Sequence, residues 1–181
     1  MSPYPPDITY RELTIEDYED LKKMGGNCLP VPYPESYWLS IAADKNSHYS
    51  LGAYNKQGQL IGAIGVIRCV KEFFALRSSL VCYITTIVVS HEYRKIGVAT
   101  QLLQRASTVL LQEGSQLIYL HVLHSNLPAI RLYEKMGYDK VAEIPNYYKI
   151  DDKQETGIIY CRRLATPICH ECLTTPSCSI L

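Results

Sequence analysis

Ser90-His91-Glu92-Tyr93-Arg94-Lys95-Ile96-Gly97-Val98-Ala99-Thr100 decides how the rest of the chain is read. Basic residues and a glycine stand here between a strand-like run and a helix-like run. Small residues at Gly97 and Ala99 let a ligand approach the main chain. The first N–H groups of a helix have no partner within it, and the helix dipole favours an anion there. By its physics the stretch is a cradle for a pyrophosphate. It is neither the Walker A pattern nor the dinucleotide G-x-G-x-x-G pattern. A glycine near a helix start is as often a plain turn, so the stretch taken alone supports both readings.

The flanks supply the context. Residues 81–89 are rich in Val, Ile and Thr and read as a strand. Residues 98–112 place Leu102, Leu103, Ala106, Val109 and Leu110 at helical spacing, and Gly114 ends that helix. Gln116–Val122 is a near-continuous apolar run, as expected for a strand buried on both faces. Asn126 caps a helix over 127–136, with Gly137 past its end. Strands follow at 138–143 and 156–163. Upstream, Thr14 caps a helix over 15–24, with Asp17 in a capping box, and Gly25-Gly26-Asn27 stops it. The prolines of 29–34 forbid regular structure, and Pro34 starts a helix over 35–43. Residues 47–54 and 59–69 are two strands joined by the Asn55–Gly58 turn. The order is α–α–β–β–β–α–β–α–β–β, an α/β (α+β) domain with helices on a sheet.

Two motifs agree on a family. Arg94-x-x-Gly97-x-Ala99 on a strand-to-helix turn resembles the acetyl-CoA signature, (Arg/Gln)-x-x-Gly-x-(Gly/Ala), of the GNAT superfamily of N-acetyltransferases. Asn126, followed by Ala129-Ile130-Arg131-Leu132-Tyr133-Glu134-Lys135-Met136-Gly137-Tyr138, resembles its second signature. The resemblance covers about residues 8–163. It implies the GNAT fold: a mixed central sheet of about six to seven strands flanked by four helices. It also implies acetyl-CoA as cosubstrate and no metal. The main chain of 85–89, with Thr85, Ile87, Val88 and Val89, is expected to pair with the pantetheine arm. Arg94, Lys95, Gly97, Val98, Ala99 and Thr100 are expected around the pyrophosphate. Asn126 would bond the pantetheine, and Tyr133 would meet the coenzyme near its sulfur.

Further blocks narrow the family. Leu29-Pro30-Val31-Pro32-Tyr33-Pro34-Glu35-Ser36 resembles the Phe-Pro-(Val/Ile)-x-Tyr-Pro-(Asp/Glu)-Ser loop of N-alpha-acetyltransferases of the NatE and NatF type. Cys82-Tyr83-Ile84, Tyr119-Leu120-His121-Val122-Leu123 and Asn146-Tyr147-Tyr148-Lys149 are similar to three more of their blocks, with NatF, the membrane-associated member, the nearer match. Such enzymes acetylate the α-amine of proteins that keep their initiator Met. An α-ammonium has a pKa near ~8 and must lose a proton before it can attack a thioester. His121, ordinarily near ~6.5, can take it, whereas Tyr83, near ~10, is the poorer base alone. The family pattern gives Tyr83 and His121 this role together, through water. Without that pattern, a His in an apolar strand is more often a satisfied core residue. The resemblance puts Leu29, Pro30, Val31, Tyr33, Tyr147 and Tyr148 around the peptide. Leu29 stands where the family carries an aromatic residue, and Pro32 where NatF is acidic. Two other functions fit less of the sequence: a protein-lysine (histone) acetyltransferase, and a non-catalytic auxiliary subunit that only binds acetyl-CoA.

Composition bounds the answer. The chain has 181 residues, of which 47% are apolar and 20% charged, an ordinary globular balance. Eighteen basic and eighteen acidic residues cancel to a formal charge of +0, which argues against nucleic acid as a partner. The expected partners are protein N-termini, membrane proteins among them. The start of the chain carries no basic n-region or apolar h-region, so a cytoplasmic protein is expected. Seven cysteines, an odd number, argue against a secreted disulfide framework. Three of them, Cys169, Cys172 and Cys178, lie in 165–181, read as a flexible tail after a domain at 1–164. Cys178-Ser179-Ile180-Leu181 fits the C-a-a-X prenylation pattern. One lipid binds a membrane weakly, so palmitoylation at Cys169 or Cys172 would be the second anchor. Attachment to the cytosolic face of the Golgi, another endomembrane or the plasma membrane is the expectation. Cys169-His170-Glu171-Cys172 with Cys178 supplies only half of a usual zinc site.

Overall fold

The Val-, Ile- and Thr-rich run around residue 85 becomes the middle of a seven-stranded sheet. The computed structural model describes residues 7–29, 32–73 and 77–164. Within them the strands are β1 (Thr9–Glu12), β2 (His48–Tyr54), β3 (Leu60–Phe73), β4 (Arg77–Val89), β5 (Leu117–Leu123), β6 (Asp139–Ile150) and β7 (Lys153–Arg163). The helices are α1 (Tyr18–Cys28), α2 (Glu35–Ala43), α3 (Val98–Gln112) and α4 (Leu127–Lys135). The strand order is β1-β2-β3-β4-β5-β7-β6. Every pairing is antiparallel except β4 with β5, which is parallel. The mixed sheet of six to seven strands with four helices is therefore found. The expectations for Pro30, Val31 and the tail with Cys169, Cys172 and Cys178 lie outside the described residues.

The helices cover both faces. Val98, Leu102, Leu103, Ala106 and Leu110 of α3 are buried against Cys82 and Ile84 of β4 and Ile118 and Leu120 of β5. Leu21 and Met24 of α1 and Trp38 and Ile41 of α2 pack with Ala63 and Val88 on the other side. Side chains alternate between faces along each strand. On β5, Ile118, Leu120 and Val122 belong to the α3 side. Leu117 and Tyr119 belong to the opposite cluster, which also holds Tyr83 and Ile159.

β4 breaks its own alternation. Val66 stands opposite Ile84 and Gly65 opposite Thr86, so Thr85 is an extra residue, a β-bulge. Before it, odd-numbered Val81 and Tyr83 face away from α3. After it, even-numbered Val88 does so, packed with α1 and α2. The bulge thus changes which side chains each face receives halfway along the strand.

Several boundaries differ from the sequence reading. β1 was not foreseen: four residues at the sheet edge give too short a pattern to register. It is tied in when Arg11 donates two hydrogen bonds, of 2.8 and 2.9 Å, to the Asp17 carboxylate. The Thr14–Asp17 capping box exists but opens a 3-10 turn over Ile15–Asp17, and α1 follows it. Gly25-Gly26-Asn27 does not stop α1, which runs on to Cys28. The reason is packing: a Cβ on Gly25 would lie 2.1 Å from the Trp38 ring. The glycine serves a close approach rather than a turn. The β3–β4 hairpin is longer than read, and β6 continues to Ile150 instead of ending near 143.

Candidate active site

The parallel pairing of β4 and β5 is short. It joins Val81–Ile84 to Leu117–Leu120 and goes no further. β5 stays with β7 as far as Leu123 opposite Gly157, and β4 stays with β3 as far as Val89 opposite Gly62. The sheet therefore opens into a fork, bounded by Thr85–Val89 on one side and His121–Leu123 on the other. The β4 edge in the fork has main-chain groups with no strand beside them. An extended polar chain can dock there as an added strand. Thr85, Ile87, Val88 and Val89 lie along that edge, as the sequence reading places them.

Beyond the open edge comes the anion cradle. Lys95 stands at φ 64 and Gly97 at φ 93. Gly97 caps α3 without a side chain, and no acidic residue occupies the first turn. The first N–H groups of α3, on Val98, Ala99 and Thr100, are left to an anion. The Val98 side chain is buried in the core, and Gly62 lies against it: a Cβ there would be 3.0 Å from Val98 Cγ1. The helix start is thereby seated close on β3. Arg94 is exposed, and its Nε donates to the Val89 carbonyl at 3.1 Å. Asn126 caps α4, its Oδ1 accepting from the Ala129 N–H at 3.3 Å. That leaves its amide N–H groups for another acceptor. Tyr133 is 5% exposed and lies with Tyr138 and Tyr160 under α4.

On the α1–α2 face of the fork, Tyr83 and His121 meet. The Tyr83 hydroxyl is 3.2 Å from His121 Nδ1. Tyr147 of β6 stacks flat on the imidazole, 4.4 Å between centroids and 5° between planes. Tyr148 stands edge-on to Tyr147 at 4.8 Å. Tyr33 stacks on Tyr37 at 4.3 Å, and the Tyr37 hydroxyl bonds to Thr86 Oγ1 at 2.8 Å. Leu29 ends α1 beside this aromatic group and packs with it. The sequence thus names the aromatic groups that converge. It misses Tyr37, which ties Tyr33 and its loop to β4, because a helix aromatic reads as plain core. It also misses Gly157, although a glycine inside a strand signals a close approach.

Burial sets the electrostatics. It lowers the His121 pKa to about 4, so the ring is uncharged at neutral pH. Burial also pushes the Tyr83 hydroxyl far above its ordinary value, with Tyr147 and Tyr148 adding to the shift. Tyr33, Tyr147 and Tyr148 are all raised, with burial the leading cause. Every group in the cluster is held in its neutral form. Tyr83 keeps its proton and His121 is a neutral imidazole, so the 3.2 Å contact is a neutral hydrogen bond whose donor is set by the His121 tautomer. Chemically the fork offers a proton acceptor beside a slot for an extended chain that ends at an anion cradle.

The chain is similar to known proteins at the level of family and fold. The model of the acetyltransferase (GNAT) family matches residues 11–138. N-alpha-acetyltransferase 60 of Xenopus tropicalis is 30% identical over 158 residues, which cover 80% of this chain. The chain spans 64% of the length of that relative. The crystal structure of Arabidopsis thaliana NAA60 with a bisubstrate analogue superposes with a TM-score of 0.81 at 23% identity, covering 87% of this chain and 99% of that one. Arabidopsis thaliana Naa50 with the bisubstrate analogue CoA-Ac-MVNAL gives 0.73 at 25% identity, over 86% and 98%.

Proposed function

The chain belongs to the acetyltransferase (GNAT) family, and from that premise we propose that it is an N-alpha-acetyltransferase. It moves the acetyl group of acetyl-CoA to the α-amine of protein N-termini that retain Met. The observation that carries the reading is the fork with Tyr83 and His121 at its mouth.

The residues fit acetyl-CoA by their own chemistry. The open β4 edge at Thr85–Val89 suits the amides of the pantetheine arm. Val98, Ala99 and Thr100 present N–H groups to the pyrophosphate, Gly97 admits it, and Arg94 and Lys95 add positive charge. Asn126 would bond the arm from α4, and Tyr133, buried beneath that helix, would meet the coenzyme near its sulfur. When bound, the group supplies an activated acetyl thioester.

The chain then has three tasks. Leu29, Tyr33, Tyr147 and Tyr148 offer apolar surface with hydroxyl groups, suited to a Met side chain and the first peptide bonds. The CoA-linked peptide of the Arabidopsis Naa50 structure also begins with Met. The uncharged amine is the form that can attack the thioester. His121 would take the proton that the amine nitrogen sheds as it bonds the acetyl carbon, and the carbon–sulfur bond broken in exchange would release CoA as its thiolate. Taking it earlier, from a free ammonium near ~8, would run uphill by roughly 5 kcal/mol against a ring near 4. Tyr83 bonds to His121 Nδ1 and orients the imidazole, with an ordered water completing the path.

A mixture of peptides tests the reading. It contains Met-Leu, Met-Lys and Ala N-termini, together with an N-terminally blocked peptide carrying an internal Lys. With acetyl-CoA, acetylation of the Met-first α-amines is expected. Acetylation confined to the internal Lys would overturn it.

A further inference from the structure

β6 and β7 lose register beside the site. Ile144 stands opposite Gly157 and Tyr148 opposite Glu155. Pro145, Asn146 and Tyr147 therefore face a single residue, Thr156. Pro145 has no N–H to give a ladder. Asn146 stands at φ 58, the left-handed region that Asn enters more readily than most residues. Such a bulge bends its strand and re-aims the side chain that follows.

The side chain that follows is Tyr147, and its ring lands on the place where β7 has no side chain. A Cβ on Gly157 would lie 2.9 Å from Tyr147 Cδ1 and 3.0 Å from its Cβ and Cγ. Contacts that close force the ring to move. Ile159 pairs with His121. Gly157, two residues earlier on β7, projects to the same face. A ring resting on Gly157 therefore meets His121 face to face, as the 4.4 Å stack shows.

We propose that Gly157 is a positioning residue of this site: its missing side chain is the seat that lays the Tyr147 ring flat on His121, and the Pro145-Asn146 bulge aims the ring at that seat. The catalytic consequence rests on the reading of His121 given above; the seat itself rests on packing alone. The groups facing His121 are Tyr83 from β4 at 3.2 Å, Tyr119 of its own strand at 6.2 Å between rings, and Tyr147 from β6. β7 offers the apolar Ile159. No charged side chain contributes to the state of the ring, which burial alone determines. Lifting Tyr147 off would open the imidazole to water, and its pKa would climb toward the ordinary ~6.5.

The test is an NMR titration of His121 in the wild type, Gly157→Ala, Tyr147→Ala and Tyr147→Phe. It runs beside the pH profile of kcat and the affinity for acetyl-CoA. The His121 midpoint is expected to rise by about one unit or more in Gly157→Ala and Tyr147→Ala. It is expected to stay in place in Tyr147→Phe, which keeps the ring. The acid limb of kcat should follow the midpoint upward, with acetyl-CoA affinity unchanged. Should Gly157→Ala fail to fold, Tyr147→Ala reads the same contact without added bulk. A midpoint unmoved in the folded variants, with only the melting temperature lowered, would overturn the proposal. A midpoint that moves in a protein that acetylates no α-amine would uphold the seat and sink the function.

Discussion

In the proposed reaction His121 and Tyr83 divide the acid–base work unequally. A carbonyl-directed amine needs an acceptor that is empty when the amine arrives, and burial empties His121 by lowering its pKa to about 4. The sign follows: above pH 5 the ring is already uncharged, and activity through it is lost only as pH falls toward 4. Tyr83 is shifted the other way and keeps its proton through the whole working range. The limiting ionisation near neutrality is therefore the substrate's own. We expect kcat/KM to rise with pH and to level off near the amine pKa of ~8, with no fall from Tyr83 up to about pH 10. A pH–rate series with one Met-first peptide measures this, and an acid limb at pH 6 to 7 belonging to the enzyme would contradict it. Tyr83→Phe loses the hydroxyl but not the ring, so a drop on the order of 10–100-fold in kcat is expected.

At the scale of elements, α1 shows why a pair of glycines misleads. Mid-helix glycine costs roughly 0.5–1 kcal/mol relative to Ala, so reading a stop at Gly25-Gly26 is sound on propensity. Trp38 reverses that judgement, because its ring occupies the space a side chain at position 25 would need. Gly26 has nothing within 4 Å of its would-be Cβ. Gly25→Ala is thus expected to destabilise the fold by about 1–3 kcal/mol. Gly26→Ala should stabilise it by about 0.4–1 kcal/mol. Denaturant midpoints of the two variants decide the point, and equal effects would remove the packing explanation. The elements that could be read from sequence share one property: their pattern is local. Leu102, Leu103, Ala106 and Leu110 state the buried face of α3 within four turns, and Asn126 with Gly137 brackets α4. β1 is too short to carry a period. The Thr85 bulge and the Pro145–Tyr147 bulge depend on partner strands far away in the chain, which no local pattern reports.

At the scale of the molecule, the sheet is two halves joined at a short parallel seam, Val81–Ile84 with Leu117–Leu120. The β1–β4 half carries the open edge and the helix start for an anionic chain. The β5–β7–β6 half carries His121 and Tyr147. The helix start of the first half was legible because small and basic residues at fixed offsets mark a strand-to-helix turn. The peptide side was legible only in its residue names. The stack on His121, the Gly157 seat and the Tyr37–Thr86 bond arise from three strands and a helix meeting, so sequence order hides them. The account says that the seam brings an acetyl donor and an α-amine together where His121 can accept one proton. The direct test is the rate of acetyl transfer to a Met-first peptide by wild type and by His121→Ala, at saturating acetyl-CoA and near-neutral pH. The wild type should acetylate the α-amine, and His121→Ala should be slower by about 10²–10⁴-fold with its acetyl-CoA affinity intact. A His121→Ala enzyme as fast as the wild type would contradict the account.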